Sequence, residues 1–504
     1  MRSNIVLCAI NAKWIHPSLA LRLLKANLGN LEPSCEIIEF ALRQPLSEKT
    51  NPILEARPRI LGISVSIWNH GATIELLDAL EKEWSACNTG TETSRPVIVL
   101  GGPEVSHLPP DAEIFRFADY VIRGDGEHEF KNLCDSILSG NKSPTDNFTP
   151  KPVIISAAPA DVNTAASAYH LYSDQDLTKK LTYVESSRGC PFHCEFCQSA
   201  IETDSAYQNT AGKNPVINQN KVRYFPVDKF LAEMDDLISR GARTFKFLDR
   251  TFNLDTDRAR RIMEFFLEKI EERKTMGRTP LVVHFEMVPS RFPPELREML
   301  SRFPAGSLRL EIGIQTLNAE VSARIARPSA PEKEIEVLRF LREKTNAIVH
   351  ADLIAGLPGE DINSFGRGFD KLWQALSPPS AKENSAVPPN ASHFEIQLGI
   401  LKLLPGTPIA RHTSAFGMRY NSAPPYEVIE TAALPPAELD RIKNFARFWE
   451  LIVNRGLADF NTPVFNEDET SVFTKFMALS DSLLARFGRN WGIDKNELRK
   501  ALEE

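Results

Sequence analysis

No stretch of the 504-residue chain stays apolar for the roughly 20 residues needed to cross a bilayer. No run of lysine and arginine stands out either, and the formal net charge is -7. A protein that neutralises many phosphates needs a basic face, so neither nucleic acid nor a membrane is the expected partner. The opening "IVLCAI" (Ile5 to Ile10) is short for a signal-peptide core, and no small-residue cleavage site follows it. These absences predict a cytoplasmic protein, where thiols stay reduced and a disulfide framework is not expected. Of the seven cysteines, Cys8, Cys35, Cys87 and Cys134 are scattered and read as small buried residues. With 42% hydrophobic and 25% charged residues the composition is that of an ordinary globular protein. The length suggests about two to four domains.

A dinucleotide fingerprint is also missing. No G-x-G-x-x-G follows the first apolar run, which leads instead into "NAKWIHPS", so NAD and FAD are not expected. What is present is a series of short apolar runs: "IVLCAI", "ILGISVS" from Ile60, "VIVLGG" from Val97 and "YVIRG" from Tyr120. Helix-period stretches begin between them at Ser18 and Ala72, and after them at His128. Continuous apolar strands alternating with amphipathic helices predict a parallel sheet covered on both faces. We read an α/β, doubly wound Rossmann-like domain over residues 1–140. Ligands of such sheets bind beyond the carboxyl ends of the strands. The segments there, "SVSIWNHG", "GGPEVSH" and "GDGEHE", are small enough to let a large flat ligand approach the backbone.

Residues 141–178 are rich in Ser, Pro, Asn, Ala and Thr and read as a linker. A second alternating series follows, with apolar strand candidates beginning at Leu181, Thr244, Leu281, Ser307, Ala347 and His393. Six strand–helix units predict a partial (β/α)6, TIM-like barrel over residues 179–410, with its site at the carboxyl ends of the strands. Segment 378–392 is a Pro/Ser-rich insertion. Residues 411–504 are expected to be a helical domain, with Ile442, Phe445, Phe448, Trp449 and Ile452 spaced as a packing stripe.

Directly after the first strand of the barrel series stands "SSRGCPFHCEFCQSA" (Ser186 to Ala200), with Cys190, Cys194 and Cys197 at C-x3-C-x2-C spacing. A structural zinc takes four ligands, usually as two pairs, and no second pair exists here. A [4Fe-4S] cluster takes one ligand per iron, so three cysteines leave one iron open to an outside ligand. An open position marks a catalytic metal rather than a structural one.

The segment "RGCPFHCEFC" resembles the signature of the radical S-adenosylmethionine (SAM) superfamily. That resemblance implies that the open iron chelates SAM and that cleavage gives a 5′-deoxyadenosyl radical, with the cofactors carrying the chemistry. It implies SAM contacts at Phe196 near the adenine, at Asp249 and Arg250 in "FLDRTF", and at Glu311 and Gln315 in "EIGIQTLN". Glu311 and Gln315 are expected on one face of a strand, being an even number of residues apart. In "DLIAGLPGE" the resemblance implies that glycines including Gly356, with Pro358, admit the adenine. The usual Gly-Gly-Glu after the second strand is missing here.

The doubly wound domain before this core, with "VIVLGGPEVSH" and "VIRGDGEHEF", resembles the cobalamin-binding subclass of that superfamily. The implied cobalamin contacts are Ser64, Ser66, Gly101, Gly102, Pro103, Gly124, Gly126 and Glu127. The D-x-H-x-x-G motif, whose His ligates cobalt in many cobalamin proteins, is missing. His16, His70 and His107 lie near strand ends without that context. The resemblance implies a cobalamin-dependent methyltransferase acting on an unactivated centre of a small molecule or peptide, with a flavodoxin- or ferredoxin-type electron donor. A radical oxidation, cyclisation or rearrangement, and a non-catalytic metal-binding scaffold, are the alternatives.

Overall fold

The computed structural model describes residues 4–86, 95–140, 152–201, 222–377, 394–457, 465 and 471–503. Cys87 and the insertion at 378–392 lie outside the described residues. The chain divides into two compact units. Among the described residues, the first holds those up to Ser186 and from Arg223 to Lys246. The second holds Ser187 to Ile201, Val222, and the chain from Phe247 on.

The first unit contains a six-stranded sheet built from β1 (Ile5–Asn11), β2 (Cys35–Ala41), β3 (Ile60–Ser64), β4 (Val97–Gly101), β5 (Tyr120–Arg123) and β6 (Val153–Ser156). The order is β2-β1-β3-β4-β5-β6, and neighbouring strands are parallel. Each crossover is a helix or an irregular turn: α1 (Leu19–Ala26), α2 (Leu46–Ala56), α3 (His70–Ala86) and α4 (Glu127–Leu138) are the helices. The strand order reverses between β1 and β3, the point at which such sheets open a crevice. Because side chains alternate along a strand, the sheet feeds two cores. Val6, Cys8 and Ile10 pack with Ile53 of α2 and Leu76, Leu77 and Leu80 of α3. Ile5, Leu7 and Ala9 pack on the other face with Leu21 of α1 and Phe130 and Leu133 of α4.

Two of these strands are not in the four read from the sequence. In β2, "CEIIEFA", Glu36 and Glu39 interrupt the apolar run, as an edge strand allows. β6 is "VIIS" inside the stretch read as a linker. That stretch also holds α5 (Asp174–Lys179) and is tied to the domain. Asn27 donates to the Ala166 carbonyl at 3.1 Å and accepts from its amide at 2.9 Å.

The other strands are β7 (Thr182–Val184), the two-residue β8 (Ser187–Arg188) and β9 (Arg223–Tyr224), then β10 (Thr244–Phe247), β11 (Val282–Met287), β12 (Leu308–Gln315), β13 (Ile348–Ala355) and β14 (Phe394–Ile400). The second six-stranded sheet has the order β14-β13-β12-β11-β10-β7. All six strands of the predicted barrel series are present. Between them run α6 (Val227–Ser239), α7 (Thr256–Thr275), α8 (Pro294–Ser301), α9 (Ala319–Arg324), α10 (Pro331–Lys344) and α11 (Ile362–Leu376). In α7, Ile262, Met263, Phe266 and Ile270 are buried, while its charged residues lie on the opposite face.

After residue 411 the chain is not wholly helical. β15 (Arg419–Tyr420) and β16 (Val428–Glu430) form an antiparallel pair before α12 (Pro436–Trp449), α13 (Val472–Phe487) and α14 (Lys495–Glu503) begin. The prolines and Asn421 in "RYNSAPPYEVIE" favour a turn over a helix. The aromatic stripe of α12 is core. Phe445 stacks on Trp449 at 5.7 Å and meets Phe369 of α11 and Phe473 and Phe476 of α13 edge-on or tilted.

One buried ion network holds the first unit's amino-terminal loop. Arg22 of α1 lies 2.9 Å from both Glu39 of β2 and Asp176 of α5, and its guanidinium stacks on Tyr172 at 4.9 Å. Burial opposes the Asp176 charge, but Lys180, Arg22 and the Ser173 amide outweigh it and hold the carboxyl at about 2. Removing one member strands the others in a dry site. Arg22→Ala is therefore expected to destabilise the protein by about 3–5 kcal/mol, read as a lowered urea midpoint. Asp176 sits below its unfolded value of 3.8, so the stability it brings is present above pH 4. It drains as pH falls toward 2, and Asp176→Asn removes that slope.

Candidate active site

The three cysteines lie on the loop after β8, which Gly189 enters at φ +95, a conformation glycine adopts freely. Cys194 is buried, Cys190 and Cys197 are half-buried, and the Cys197 amide donates to the Cys194 carbonyl at 2.9 Å. Burial pushes the Cys190 and Cys194 thiols up, and each also feels the neighbouring thiols of the loop. At Cys194 the guanidinium of Arg327 works the other way: its Nη1 lies 3.7 Å from Sγ. Arg250 acts weakly in the same sense on Cys190. Among the described residues no three His, Cys, Asp or Glu side chains converge as they would on a single ion. Cysteines that each take a different iron of a cube need not converge that closely. The donor set of three thiols, with a cation beside the buried one, fits a [4Fe-4S] cluster.

The structure brings strand ends of the second unit to this loop. Ser187, three residues before Cys190, donates its hydroxyl to Asp249 at 2.6 Å, and Asp249 is fully buried after β10. Arg250 is exposed and pairs loosely with Glu286 of β11 at 3.6 Å. Arg327 follows α9 and reaches back to the Gly313 and Ile314 carbonyls of β12 while it touches Cys194. The end of β12 is irregular. Its register with β13 shifts between Gly313 and Gln315, and Gln315 has φ +70. The strand runs to Gln315, which still pairs with Leu353, but its register slips by one residue there, and the Gln315 side chain curls back over Gly313. A Cβ at Gly313 would lie 2.6 Å from Gln315 Nε2. Glu311 lies earlier on β12, 3.4 Å from His284 of β11. Phe196 is half-buried within the cysteine loop.

At the β13 turn, Gly356 (φ +87) faces protein. A Cβ there would meet Val428 of β16 at 2.5 Å, and the Pro358 carbonyl accepts from Arg324 at 2.5 Å. Glu360 closes the turn. It is buried, accepts from Thr316 at 2.7 Å and from Ser364 at 3.3 Å, and its other oxygen has no hydrogen bond among the described residues.

Sequence reasoning missed Glu195, His284, Arg327, His350 and Gln397. Gln397 of β14 and His350 of β13 are 2.8 Å apart, and the His284 and His350 rings lie 5.6 Å apart. Period-2 alternation places His284, Glu286, Glu311, His350 and Gln397 on one face of the sheet, a signal that was available in the strand sequences.

In the first unit the carboxyl edge of the sheet is knitted together. Asn69 accepts from the Ser66 amide at 2.8 Å and donates to the Ile10 and Ser64 carbonyls. Gly102 (φ +105) and Gly124 (φ +89) make room for protein: a Cβ would meet the Val65 carbonyl at 2.5 Å or the Ala157 carbonyl at 2.8 Å. A Cβ at Gly101 would lie 3.7 Å from the Ile122 carbonyl, and Gly126 lies against Leu24. Pro103 is exposed, Ser64 half-buried, and Ser66 and Glu127 buried. His16 and His70 are hydrogen-bonded, and His107 is partly buried. His16 bonds the Tyr183 hydroxyl at 2.8 Å and His70 bonds the buried Glu104 at 2.8 Å. His107 is pushed down to about 4 by burial and by Arg123. Trp68, on the loop after β3, is about half exposed. His128, in the first turn of α4, is exposed and lies 3.1 Å from Asn132 and 3.2 Å from Glu129. The loops thus offer backbone and ring surface to a flat ligand.

Residues 184–371 match the radical SAM superfamily. An uncharacterized methyltransferase of Pyrococcus horikoshii is 27% identical over 178 residues, 32% of this chain and 35% of that one. The 2-(S-pantetheinyl)-carbapenam-3-carboxylate methyltransferase of Streptantibioticus cattleyicolor is 19% identical over 413 residues, 76% of this chain and 53% of that one. The chain thus spans about a third and about half of these two relatives. The fold resembles that of the radical SAM methyltransferase TsrM from Kitasatospora setae, with TM-score 0.58 at 16% identity, over 87% of this chain and 81% of that one. It also resembles OxsB, a cobalamin-dependent SAM radical enzyme, with TM-score 0.61 at 14% identity, over 99% of this chain and 78% of that one.

The buried Glu360 gives a pH test of this region. Burial raises its carboxyl to about 7, above the ordinary 4.5, so the folded chain keeps a proton that the unfolded chain releases. Its folded-state advantage is intact below pH 4.5 and is lost as pH rises through 7. Glu360→Gln should leave the urea midpoint unchanged at pH 4 and raise stability at pH 8 by about 2–3 kcal/mol.

Proposed function

We propose, from the match of residues 184–371 to the radical SAM superfamily, that the chain transfers a methyl group to an unactivated centre of a small organic substrate, with cobalamin held by the first unit. The observation that carries the reading is the loop of three cysteines tied through Arg327 to the end of β12. Cys190, Cys194 and Cys197 would hold the [4Fe-4S] cluster. When bound, the cluster supplies the single electron that splits SAM homolytically, and cobalamin supplies the methyl group.

The chain's own residues set the stage for this chemistry. Arg327 offsets negative charge at the buried Cys194. Ser187 and Asp249 fix the start of the loop against the β10 end. Glu311 and Gln315 belong to the strand whose end reaches the loop, where a carboxylate and an amide can accept from and donate to SAM. Phe196, Arg250 and Pro358 are the further SAM contacts in this reading, and Gly356, whose Cβ position is taken by Val428, would contribute through its backbone. Ser64, Ser66, Gly101, Gly102, Pro103, Gly124, Gly126 and Glu127 belong to the loops that would carry cobalamin. With His16, His70 and His107 bonded inward or buried, those loops would hold the corrin through backbone and ring contacts.

The methyltransferase names of the curated relatives favour methyl transfer. The second reading is a cobalamin-associated radical oxidation, cyclisation or rearrangement without methyl transfer; OxsB is named a cobalamin-dependent SAM radical enzyme. A ferredoxin- or flavodoxin-type protein would deliver the electron. Among the described residues no helix is long and apolar enough to cross a membrane.

Anaerobic reconstitution with iron, sulfide and hydroxocobalamin tests the reading. A [4Fe-4S] electron paramagnetic resonance signal that shifts on SAM addition, with corrin absorption retained through desalting, is expected. A shifted signal without retained corrin supports radical chemistry alone, and a cluster indifferent to SAM sinks both. Cys190→Ala, Cys194→Ala and Cys197→Ala should each lower SAM cleavage by at least 100-fold, on the order of 3 kcal/mol, while corrin binding stays unchanged.

A further inference from the structure

We propose that Glu195, inside the cysteine loop, is a positioning residue that shapes the cluster-binding loop before the cluster arrives. The proposal rests on the reading that the three cysteines hold a [4Fe-4S] cluster. Glu195 follows Cys194 and precedes Cys197 by two residues, yet its side chain is almost fully buried. A carboxylate is costly to bury unless it is paired. Here it is paired twice: Arg411 donates to it through Nε at 3.0 Å and through Nη2, and His412 donates through Nε2 at 2.8 Å.

Both main-chain groups of the same residue are also engaged. The Glu195 amide donates to the Ile325 carbonyl at 3.0 Å, and its carbonyl accepts from the Ile409 amide at 3.0 Å. One residue is thereby fixed at three points, to the end of α9 and to the turn after β14. Gln198 adds a fourth stitch from the other side of Cys197, donating to the Pro405 carbonyl at 3.2 Å. The segment from Pro405 to His412 is thus the far wall of the cysteine loop, although more than 200 residues separate Glu195 from Arg411.

This arrangement suits a loop that must present three sulfurs at once. Thiolates on one short loop repel each other and would spread it. A loop already held in shape gives up less conformational freedom when the cluster binds. The side-chain clamp can be removed while the two main-chain bonds remain, so the fold and the clamp are separable. Arg411 is largely exposed, which makes it the gentler end to alter.

The test uses the full chain, reconstituted anaerobically with iron and sulfide alone. Wild type is expected to hold about four irons per chain. Glu195→Gln and Arg411→Gln should hold less than half of that, and should lose iron to a chelator at least 5-fold faster. Arg411→Lys, which keeps the charge but not the paired bonds, should fall between. In the metal-free protein, alkylation of the buried Cys194 should be faster in Glu195→Gln, with an unchanged circular dichroism spectrum and melting temperature. A wild type that takes up no cluster overturns the underlying reading and the proposal with it. A loaded wild type beside an Arg411→Gln chain with the same iron content and the same chelator rate overturns the proposal alone. That variant decides the matter even if Glu195→Gln does not fold.

Discussion

Three thiols on one eight-residue span resist being held together, and much of the second unit's local structure answers that constraint. Each sulfur that ionises raises the cost of ionising the next, and burial adds to the cost. At Cys190 the Phe192 amide offsets part of that cost. Arg327 brings a cation against the most buried thiol, and it is held there by two carbonyls of β12. Those carbonyls meet Arg327 where the register of β12 with β13 shifts, so the strand irregularity and the cation at Cys194 occur together. Glu195 faces the opposite problem, a buried anion, and is answered by Arg411 and His412. The loop therefore carries a cation on one flank and an ion pair on the other.

The two sheets share a rule: parallel strands point their carboxyl ends one way, and irregular backbone gathers there. In the second unit that edge carries charged and sulfur-bearing side chains. In the first it carries glycines and small polar residues, with His16 and His70 bonded to protein and His128 exposed. The difference is chemical. At that edge His16 is bonded to Tyr183, His70 to Glu104, and His107 lies near Arg123. The edge also has backbone and the exposed ring of Trp68, which suits a ligand that brings its own metal already bound.

The strands of the first sheet were legible where burial on both faces made a continuous apolar run, and those of the barrel where buried apolar residues alternate with polar ones. β2 and β6 were not: one is interrupted by Glu36 and Glu39, and the other is four residues inside a polar stretch. The cysteine spacing was legible because its ligands are local. Arg327 and Arg411 were not, because they meet the loop across 133 and 216 residues, distances that spacing cannot span. Glycine was ambiguous in a way only the structure resolves. Gly102 and Gly356 look like openings for a ligand, yet each admits protein, the Val65 backbone in one case and the Val428 side chain in the other. A missing Cβ says that something comes close, and not what.

The inner face of β11 to β14 follows from the sheet's failure to close. A closed eight-stranded barrel fills its interior with branched apolar side chains. Six strands leave the inner face reachable by water, so polar side chains there keep their hydration. Glu311 remains 30% and Glu395 28% exposed. His284 and His350 are more enclosed, yet each has a carboxylate within 3.4 Å, and Gln397 donates to His350 at 2.8 Å. A wall of paired acids and imidazoles is a poor apolar core and a good partner for a polar molecule. The outer faces of the same strands, with Phe285, Leu310, Ile312 and Val349 buried, carry the packing that a closed barrel would divide between its inside and its helices. Stability is thereby placed on one face of the sheet, and the other is left free for chemistry.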